Sequence, residues 1–128
     1  MPAPGFLHAS LLVALGGGTG AWLRFIAGRV IPSAQFPMAT LAVNVLGSLA
    51  MGLLAGWLVR QGQSSESWRL AIGVGLLGGF TTFSAFSLEL VQLAQRGQLV
   101  SALLYAALSL AGGVAGLLAG LALARTLA

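Results

Sequence analysis

GGFTTFSAFS, residues 78–87, stands in the middle of an apolar segment that runs from about residue 70 to residue 94. Paired glycines, paired threonines and two serines make it a poor continuous helix, because glycine costs about 1 kcal/mol against alanine and Ser and Thr compete for backbone hydrogen bonds. The flanks are nevertheless long enough to cross a bilayer. A membrane helix broken at mid-depth is tolerated only where its freed backbone faces protein, a cavity or an ion. The stretch therefore predicts either a packing notch filled by phenylalanines or an ion or substrate site.

The composition of the chain excludes a soluble domain. Its 128 residues are 58% hydrophobic and only 6% charged, and the mean hydropathy is +0.97, whereas soluble domains carry about 25% charged residues. The six basic residues are isolated arginines, so the high sequence pI does not indicate a nucleic-acid surface. The chain has no cysteine, which excludes disulfides and thiol chemistry.

Four apolar segments predict an all-α integral membrane protein with a single membrane domain over residues 1–128. The first segment is interpreted as a retained span, because no basic residue precedes it and GGGTG followed by Arg24 is a poor signal-peptide cleavage site. Helices are expected at about residues 6–27, 37–59, 70–94 and 99–122, with the third broken near residues 78–81. All-helical spans favour the cell inner (plasma) membrane.

Small residues recur every four positions in three of the segments. Such ridges allow another helix backbone to approach closely. They favour packing of the chain against a second copy of itself. The ridges comprise Gly16 and Gly20; Ser48, Gly52 and Gly56; and Gly112, Gly116 and Gly120.

A track of uncharged hydrogen-bond donors is expected inside the spans. A permeation path needs such donors, each binding weakly enough for the ion to leave. Asn44 is the only carboxamide well inside a span, and it predicts either a functional site or an interhelical hydrogen bond that holds two helices together. The predicted track comprises Thr40, Asn44, Ser84, Tyr105 and Ser109.

Phe83 and Phe86 are three residues apart on the helix that resumes after the break. Aromatic ring edges carry partial positive charge, so these rings could line an anion path. Ordinary packing is the alternative interpretation of the same spacing. Freed carbonyls at the break could hold a hard cation such as Na⁺.

Few groups are available for catalysis. The only histidine is His8, near the start of the first span, and the only carboxylates are Glu66, in a loop, and Glu89, toward the end of the third span. Acid–base or metal chemistry requires clusters of such groups, so the sequence predicts a protein that is not an enzyme.

The arginines are balanced between the two sides of the membrane. Four spans place Arg24, Arg29 and Arg96 on one side, and three arginines remain for the other. Orientation follows the bias of Lys and Arg between loops, so the balance predicts insertion in both orientations. An antiparallel, dual-topology homodimer is then expected, since two-fold symmetry is the commonest oligomer form.

Three motifs resemble the Fluc (CrcB) family of fluoride channels: GGGTGAWLR at residues 16–24, TLAVNVLGS at residues 40–48 and GLLGGFTTFSAFSLE at residues 75–89. The resemblance covers essentially the whole chain. It implies an antiparallel dual-topology homodimer with two fluoride pores and a buried structural Na⁺. The implied role is passive export of fluoride, which protects the cell from its toxicity.

The resemblance also implies roles for individual residues. Asn44 would be the pore asparagine, Phe83 and Phe86 the phenylalanines that contact fluoride, and Ser84 would lie between them. Polar positions of the pore would also include Thr40, Tyr105 and Ser109. Carbonyls of Gly78 and Thr81 would hold Na⁺, Arg24 would lie near the aqueous vestibule, and Glu89 matches a family glutamate.

One position departs from the expected pattern, because Gly112 and Gly113 stand where a further hydroxyl would follow Ser109.

Two other functions stay open. A small four-span drug/proton antiporter would need a titratable carboxylate deep in the membrane, and Glu89 lies off-centre. A membrane scaffold without transport would leave Asn44 and the broken span unexplained.

Overall fold

The computed structural model describes residues 2–127, apart from the side chains at positions 63 and 64, and this part of the chain is helical without strands. Four helices are long and apolar enough to cross a membrane: Phe6–Val30, Met38–Gln61, Glu66–Gln95 and Leu99–Thr126. The all-α, four-span class predicted from the sequence is confirmed. Most helix ends lie one to four residues outside the expected bounds, because backbone hydrogen bonding continues past the apolar core of each span.

The first and second spans are the uninterrupted helices α1 (Phe6–Val30) and α2 (Met38–Gln61). A short 3₁₀ turn, Gly62–Ser65, leads into the third span. The third span is assembled from α3 (Glu66–Trp68), a π-helical segment (Arg69–Leu77), α4 (Gly78–Phe80) and α5 (Phe83–Gln95). The fourth span is α6 (Leu99–Thr126).

The turn between α5 and α6 closes with a glycine of positive φ. Gly97 has φ 77°, its N–H bonds the carbonyl of Ala94 at 3.0 Å, and the N–H of Gln98 bonds the carbonyl of Leu93 at 2.9 Å. This is the Schellman arrangement, which satisfies the last carbonyls of a helix. The tight reversal brings the start of α6 back beside α5.

The break in the third span lies at Thr81 and Thr82, one step beyond the paired glycines. Gly79 stays helical because it packs against the backbone of Gly17 in α1, where an added Cβ would collide with the Gly17 carbonyl. Thr82 adopts an extended conformation (φ −151°, ψ 119°) and its hydroxyl caps α5 by accepting from the Ala85 N–H. Threonine is a favoured N-cap residue, so the threonines end one helix and begin the next.

The glycine ridges contact other helices of the same chain. A Cβ added at Gly16 or Gly20 would collide with carbonyl oxygens of the π-helical segment, and one at Gly120 would collide with the carbonyl of Leu49. Small residues thus let α1 pack on the third span and α6 on α2. Neighbouring helices of the same chain occupy these ridges, so packing against a second copy stays a prediction that they do not support by themselves.

Large apolar side chains face outward along the helices. Phe6 is 90% exposed and Val59 is 83% exposed, while Leu93, Ala102 and Tyr105 form a small buried cluster. Lipid tails are as apolar as these outer side chains, so a membrane helix gains nothing by burying them. The small residues therefore determine which helices meet, and they bring α2 and α6 together beside the break.

Candidate functional site

Asn44 holds the break in the third span from the facing helix α2. Its Oδ1 accepts from the N–H of Thr82 at 2.8 Å, and its Nδ2 donates to the carbonyl of Thr82 at 3.1 Å. Both backbone groups of Thr82 are thereby satisfied in a region without water. The amide has a second N–H, for which the described residues provide no partner. Asn44 therefore both supports the break and retains one donor.

A cavity of about 380 Å³ opens beside Asn44. The rings of Phe83 and Phe86 line it, with their centroids 5.7 Å apart and their planes 30° from parallel. Ser109 of α6 also lines the cavity, and its buried Oγ has no hydrogen-bond partner among the described residues. The structure thus places four of the predicted pore residues around one space.

Glu89 takes part in a hydrogen-bond network that the sequence analysis did not anticipate. Thr40 donates to Glu89 Oε1 at 2.6 Å, and the Tyr105 hydroxyl donates to Oε2 at 3.4 Å. Tyr105 is fully buried, with Phe36 and Phe86 packed against its ring. The four-residue spacing of Thr40 and Asn44 places them on one helix face. Hydrogen bonds that join side chains from three separate helices, however, leave no pattern in the sequence.

Thr40 and Glu89 also line a second cavity, of about 330 Å³, on the side of the α1–α2 loop. Gln92 and Arg96 contribute polar and positively charged lining there. The lining of this cavity is more polar than that of the cavity beside Asn44, which is mainly apolar. The two cavities share no lining residue, although α2 and α5 contribute to both.

Arg24 lies beside the break. Its Nε donates to the carbonyl of Gly79 at 3.2 Å, and it lines a cavity of about 180 Å³ together with Thr40 and Thr82. The guanidinium places a positive charge next to the polar groups of the broken span.

The carbonyls of Gly78 and Thr81 are free to bind a cation. The N–H of Thr82, which would otherwise bond Gly78, turns to Asn44, and the N–H of Ala85 turns from Thr81 to the Thr82 hydroxyl. No described residue donates to either oxygen. Backbone oxygens suit a hard cation such as Na⁺, but one chain supplies only two of them. Two oxygens are too few to complete the shell of such a cation within this chain.

Ser84, like Thr40 and Tyr105, is a predicted pore residue that does not line the cavity beside Asn44. Its side chain is exposed, and its Oγ lies 3.3 Å from the Thr82 hydroxyl. Thr82, by contrast, was not predicted as a site residue, although it supplies both partners of Asn44. Only its place after the paired glycines could have indicated this role.

Comparison with known proteins gives consistent matches along the chain. Residues 11–121 match the family model described as CrcB-like protein, Camphor Resistance (CrcB). A Novosphingobium aromaticivorans protein named fluoride-specific ion channel FluC is 58% identical over 127 residues, covering 95% of this chain and 100% of that protein. The protein of the same name from Erythrobacter litoralis is 49% identical over 130 residues, covering 95% and 96% of the two chains.

Replacing Asn44 with leucine is expected to leave the backbone of the break without its hydrogen-bond partners. The Thr82 N–H and carbonyl both lose their hydrogen bonds to Asn44, and an unsatisfied buried backbone group costs about 1–3 kcal/mol. Hydrogen exchange should therefore quicken at the amide of residue 82, and the unfolding temperature in detergent should fall. Met51→Leu, which changes another lining residue without removing a hydrogen bond, is the matched control. Unchanged protection of the residue 82 amide would show that Asn44 does not hold the break.

Proposed function

This chain belongs to the CrcB family of fluoride channels, and from that membership we propose that fluoride crosses the membrane along the cavity beside Asn44. The chain is a multi-pass membrane protein with four spans, and its relatives place it in the bacterial plasma membrane. A channel lets its ion move down a gradient, so passive fluoride export would protect the cell from accumulated fluoride. We assign no catalytic role to any residue.

The observation that carries this path is the convergence of donors on one cavity. Asn44, which retains an N–H without a partner, and Ser109, whose buried hydroxyl has no partner, line the same cavity as Phe83 and Phe86. Fluoride is small and strongly hydrated, so only close donors can replace its water. Ring edges add partial positive charge without offering a group to which the ion could bond irreversibly.

Thr40 and Tyr105 play a different part in this proposal. Their hydroxyl protons point at Glu89, so they are engaged in this arrangement and not free for an anion. We place them beside the path, where they hold the carboxylate away from the donors around Asn44. Arg24, next to the break, supplies positive charge that attracts the anion toward the cavity.

The proposed function is tested by fluoride efflux from liposomes loaded with KF, with valinomycin present to dissipate voltage and chloride release measured in parallel. The protein is expected to release fluoride and not chloride. Phe83→Ile and Phe86→Ile should each slow fluoride release by about fivefold, because each removes a ring edge worth on the order of 1 kcal/mol. Phe6→Ile, at an outward-facing position, should leave the rate unchanged.

No fluoride release from folded protein would overturn the proposed path and favour proton-coupled export of organic cations through Glu89. Fluoride release that is equally fast in the two phenylalanine variants would retain the channel but refute the ring-edge role.

We also propose that a structural Na⁺ binds the carbonyl oxygens of Gly78 and Thr81, with a second copy of the chain completing its shell. Gly78 is exposed on the surface of the single chain, and the two oxygens have no donor among the described residues. A bound cation would offset the negative ends of these carbonyl dipoles. The proposed ion is structural, and no step of permeation is assigned to it.

Removal of Na⁺ is expected to lower the unfolding temperature of the purified protein in detergent. A ligand bound only by the folded state stabilises it by about 1.4 kcal/mol for each tenfold rise in concentration above its dissociation constant. The measurement compares NaCl with choline chloride at equal ionic strength. Identical unfolding temperatures across a Na⁺ series would contradict the site.

The oligomeric state proposed for the chain is an antiparallel homodimer. Arg96 lines a cavity with residues of the α1–α2 loop, and Arg60 donates to the carbonyl of Ala124 near the end of α6 at 2.6 Å. The three-to-three balance of arginines supports insertion in both orientations. The exposed break supports contact with a second copy, because one chain leaves its freed oxygens uncovered.

Charge-biased variants test the dual topology. Gln35→Arg/Gln98→Arg adds two charges on one side, and Arg29→Gln/Arg96→Gln removes two from that same side, so each variant should insert in one orientation. Each alone should lose fluoride efflux, whereas co-expression of the two should restore it. Tags on loops at the two sides of the membrane report the orientation in which each variant is inserted. Full activity of either variant by itself would contradict an antiparallel dimer.

A further inference from the structure

Arg24 is a charged side chain inside the first span that has no carboxylate partner. It lies on α1, is half-buried, and no carboxylate of the described residues comes within ion-pair distance of it. A charge within a membrane span is costly unless a polar group pairs with it. Its Nε donates to the carbonyl of Gly79 at 3.2 Å. The guanidinium is therefore paired with the backbone of the broken span.

The break leaves the Gly79 carbonyl without the N–H that a continuous helix would supply. In an α-helix this oxygen would accept from the N–H four residues later, that of Phe83. Thr82 is extended and Phe83 begins α5, and no backbone N–H of the described residues donates to Gly79. An unsatisfied carbonyl in a region without water is costly. Arg24 thus replaces the hydrogen bond that the break removes.

Gly20 brings Arg24 within reach of this carbonyl. It lies one turn before Arg24 on α1, and a Cβ there would collide with the backbone of the third span. Gly79 itself packs on the backbone of Gly17. Because a long helical side chain points back toward the N-terminus of its own helix, the side chain of Arg24 extends toward this glycine contact. Close packing and the hydrogen bond therefore stabilise the same contact between α1 and the break.

Four carbonyls at the break form two pairs, each with a spacing of three residues. Those of Gly79 and Thr82 accept from side chains of α1 and α2. Those of Gly78 and Thr81 accept from no described residue. The guanidinium also places a positive charge beside the Gly79 oxygen, and like charges repel. A cation is consequently favoured at the pair of oxygens that has no donor.

We propose that Arg24 is a positioning residue, which covers the Gly79 carbonyl and thereby confines the structural Na⁺ to the oxygens of Gly78 and Thr81. Arg24 acts through the backbone and does not touch the cation. It joins α1 to the break and determines which carbonyl is withheld from the site. This inference rests on the proposed Na⁺ site and names the residue that restricts it.

Isotope labelling can isolate the Gly79 carbonyl. With ¹³C at the glycine carbonyls and ¹⁵N at phenylalanine, only a glycine followed directly by phenylalanine gives a ¹³C–¹⁵N signal. The sequence has two such pairs, Gly5-Phe6 and Gly79-Phe80. Gly5 precedes α1 and serves as the internal reference. Spectra of the purified protein in detergent are compared in NaCl and in choline chloride at equal ionic strength.

The Gly79 signal of the wild type should move only slightly between the two salts, because Arg24 covers that oxygen. In Arg24→Met, which keeps an apolar stem and loses the donor, the signal should move upfield in choline chloride and move again when NaCl is added. In Arg24→Gln, whose amide carries N–H groups at the same distance along the side chain, the signal in choline chloride should stay near that of the wild type.

Arg29→Met is the matched control. It removes a positive charge from the same helix, and the Arg29 guanidinium lies over the ring of Phe25, 5.2 Å from its centroid, instead of bonding the break. Its Gly79 signal should match that of the wild type in both salts.

An identical Gly79 signal in the wild type and Arg24→Met would overturn the hydrogen bond and this inference. An equal response to NaCl in these two proteins would overturn the confinement of the cation. A wild-type unfolding temperature that does not depend on Na⁺ would overturn the proposed Na⁺ site and the confinement with it, while the choline chloride spectra would still decide the contact between Arg24 and Gly79.

Should Arg24→Met elute as aggregate, protein labelled with ¹⁵N at the arginine Nε provides a second measurement. The wild type should retain one slowly exchanging Nε–H that Arg24→Gln lacks, because the Nε–H of Arg24 is hydrogen-bonded and half-buried. Rapid exchange of every arginine Nε–H in the wild type would overturn the contact.

Discussion

The paired hydrogen bonds between Asn44 and Thr82 are the interaction on which the rest of the structure depends. A break in a membrane helix frees backbone groups that no water can satisfy. One amide side chain satisfies both the N–H and the carbonyl of Thr82, and the Thr82 hydroxyl starts the next helix. As a consequence, the N–H groups of Thr82 and Ala85 are directed away from Gly78 and Thr81, whose oxygens remain free. A retained amide N–H and two carbonyl oxygens without donors thus arise from the same local arrangement.

Close approach of the helices brings the remaining donors to this point. Gly52 and Gly120 let α2 and α6 meet with backbone in contact with backbone, which brings Ser48 opposite Ser109. The large apolar side chains face outward, because lipid solvates them as well as a protein core would. The cavity therefore forms at the small-residue seam, where polar side chains are near one another and bulky ones are absent.

Glu89 shows how a single carboxylate can be accommodated within a span. An ionisable group in a membrane is costly unless it is paired, and Glu89 accepts from Thr40 and Tyr105 of two other helices. These contacts join α2, α5 and α6 at a depth different from that of Asn44. The donors at the two levels consequently face different partners: a carboxylate at one level and an open cavity at the other.

The sequence alone determined the all-helical class, the four spans and the importance of residues 78–87, because hydropathy and helix-breaking residues act locally. It also indicated Asn44, since a carboxamide within an apolar span must find partners. Only the tertiary structure decided that Thr82 is that partner, that Glu89 joins Thr40 to Tyr105, and that the glycine ridges are used within one chain. Those outcomes depend on which faces of distant helices meet. A ridge of small residues shows that a close contact is possible, but it does not specify the helix that makes it.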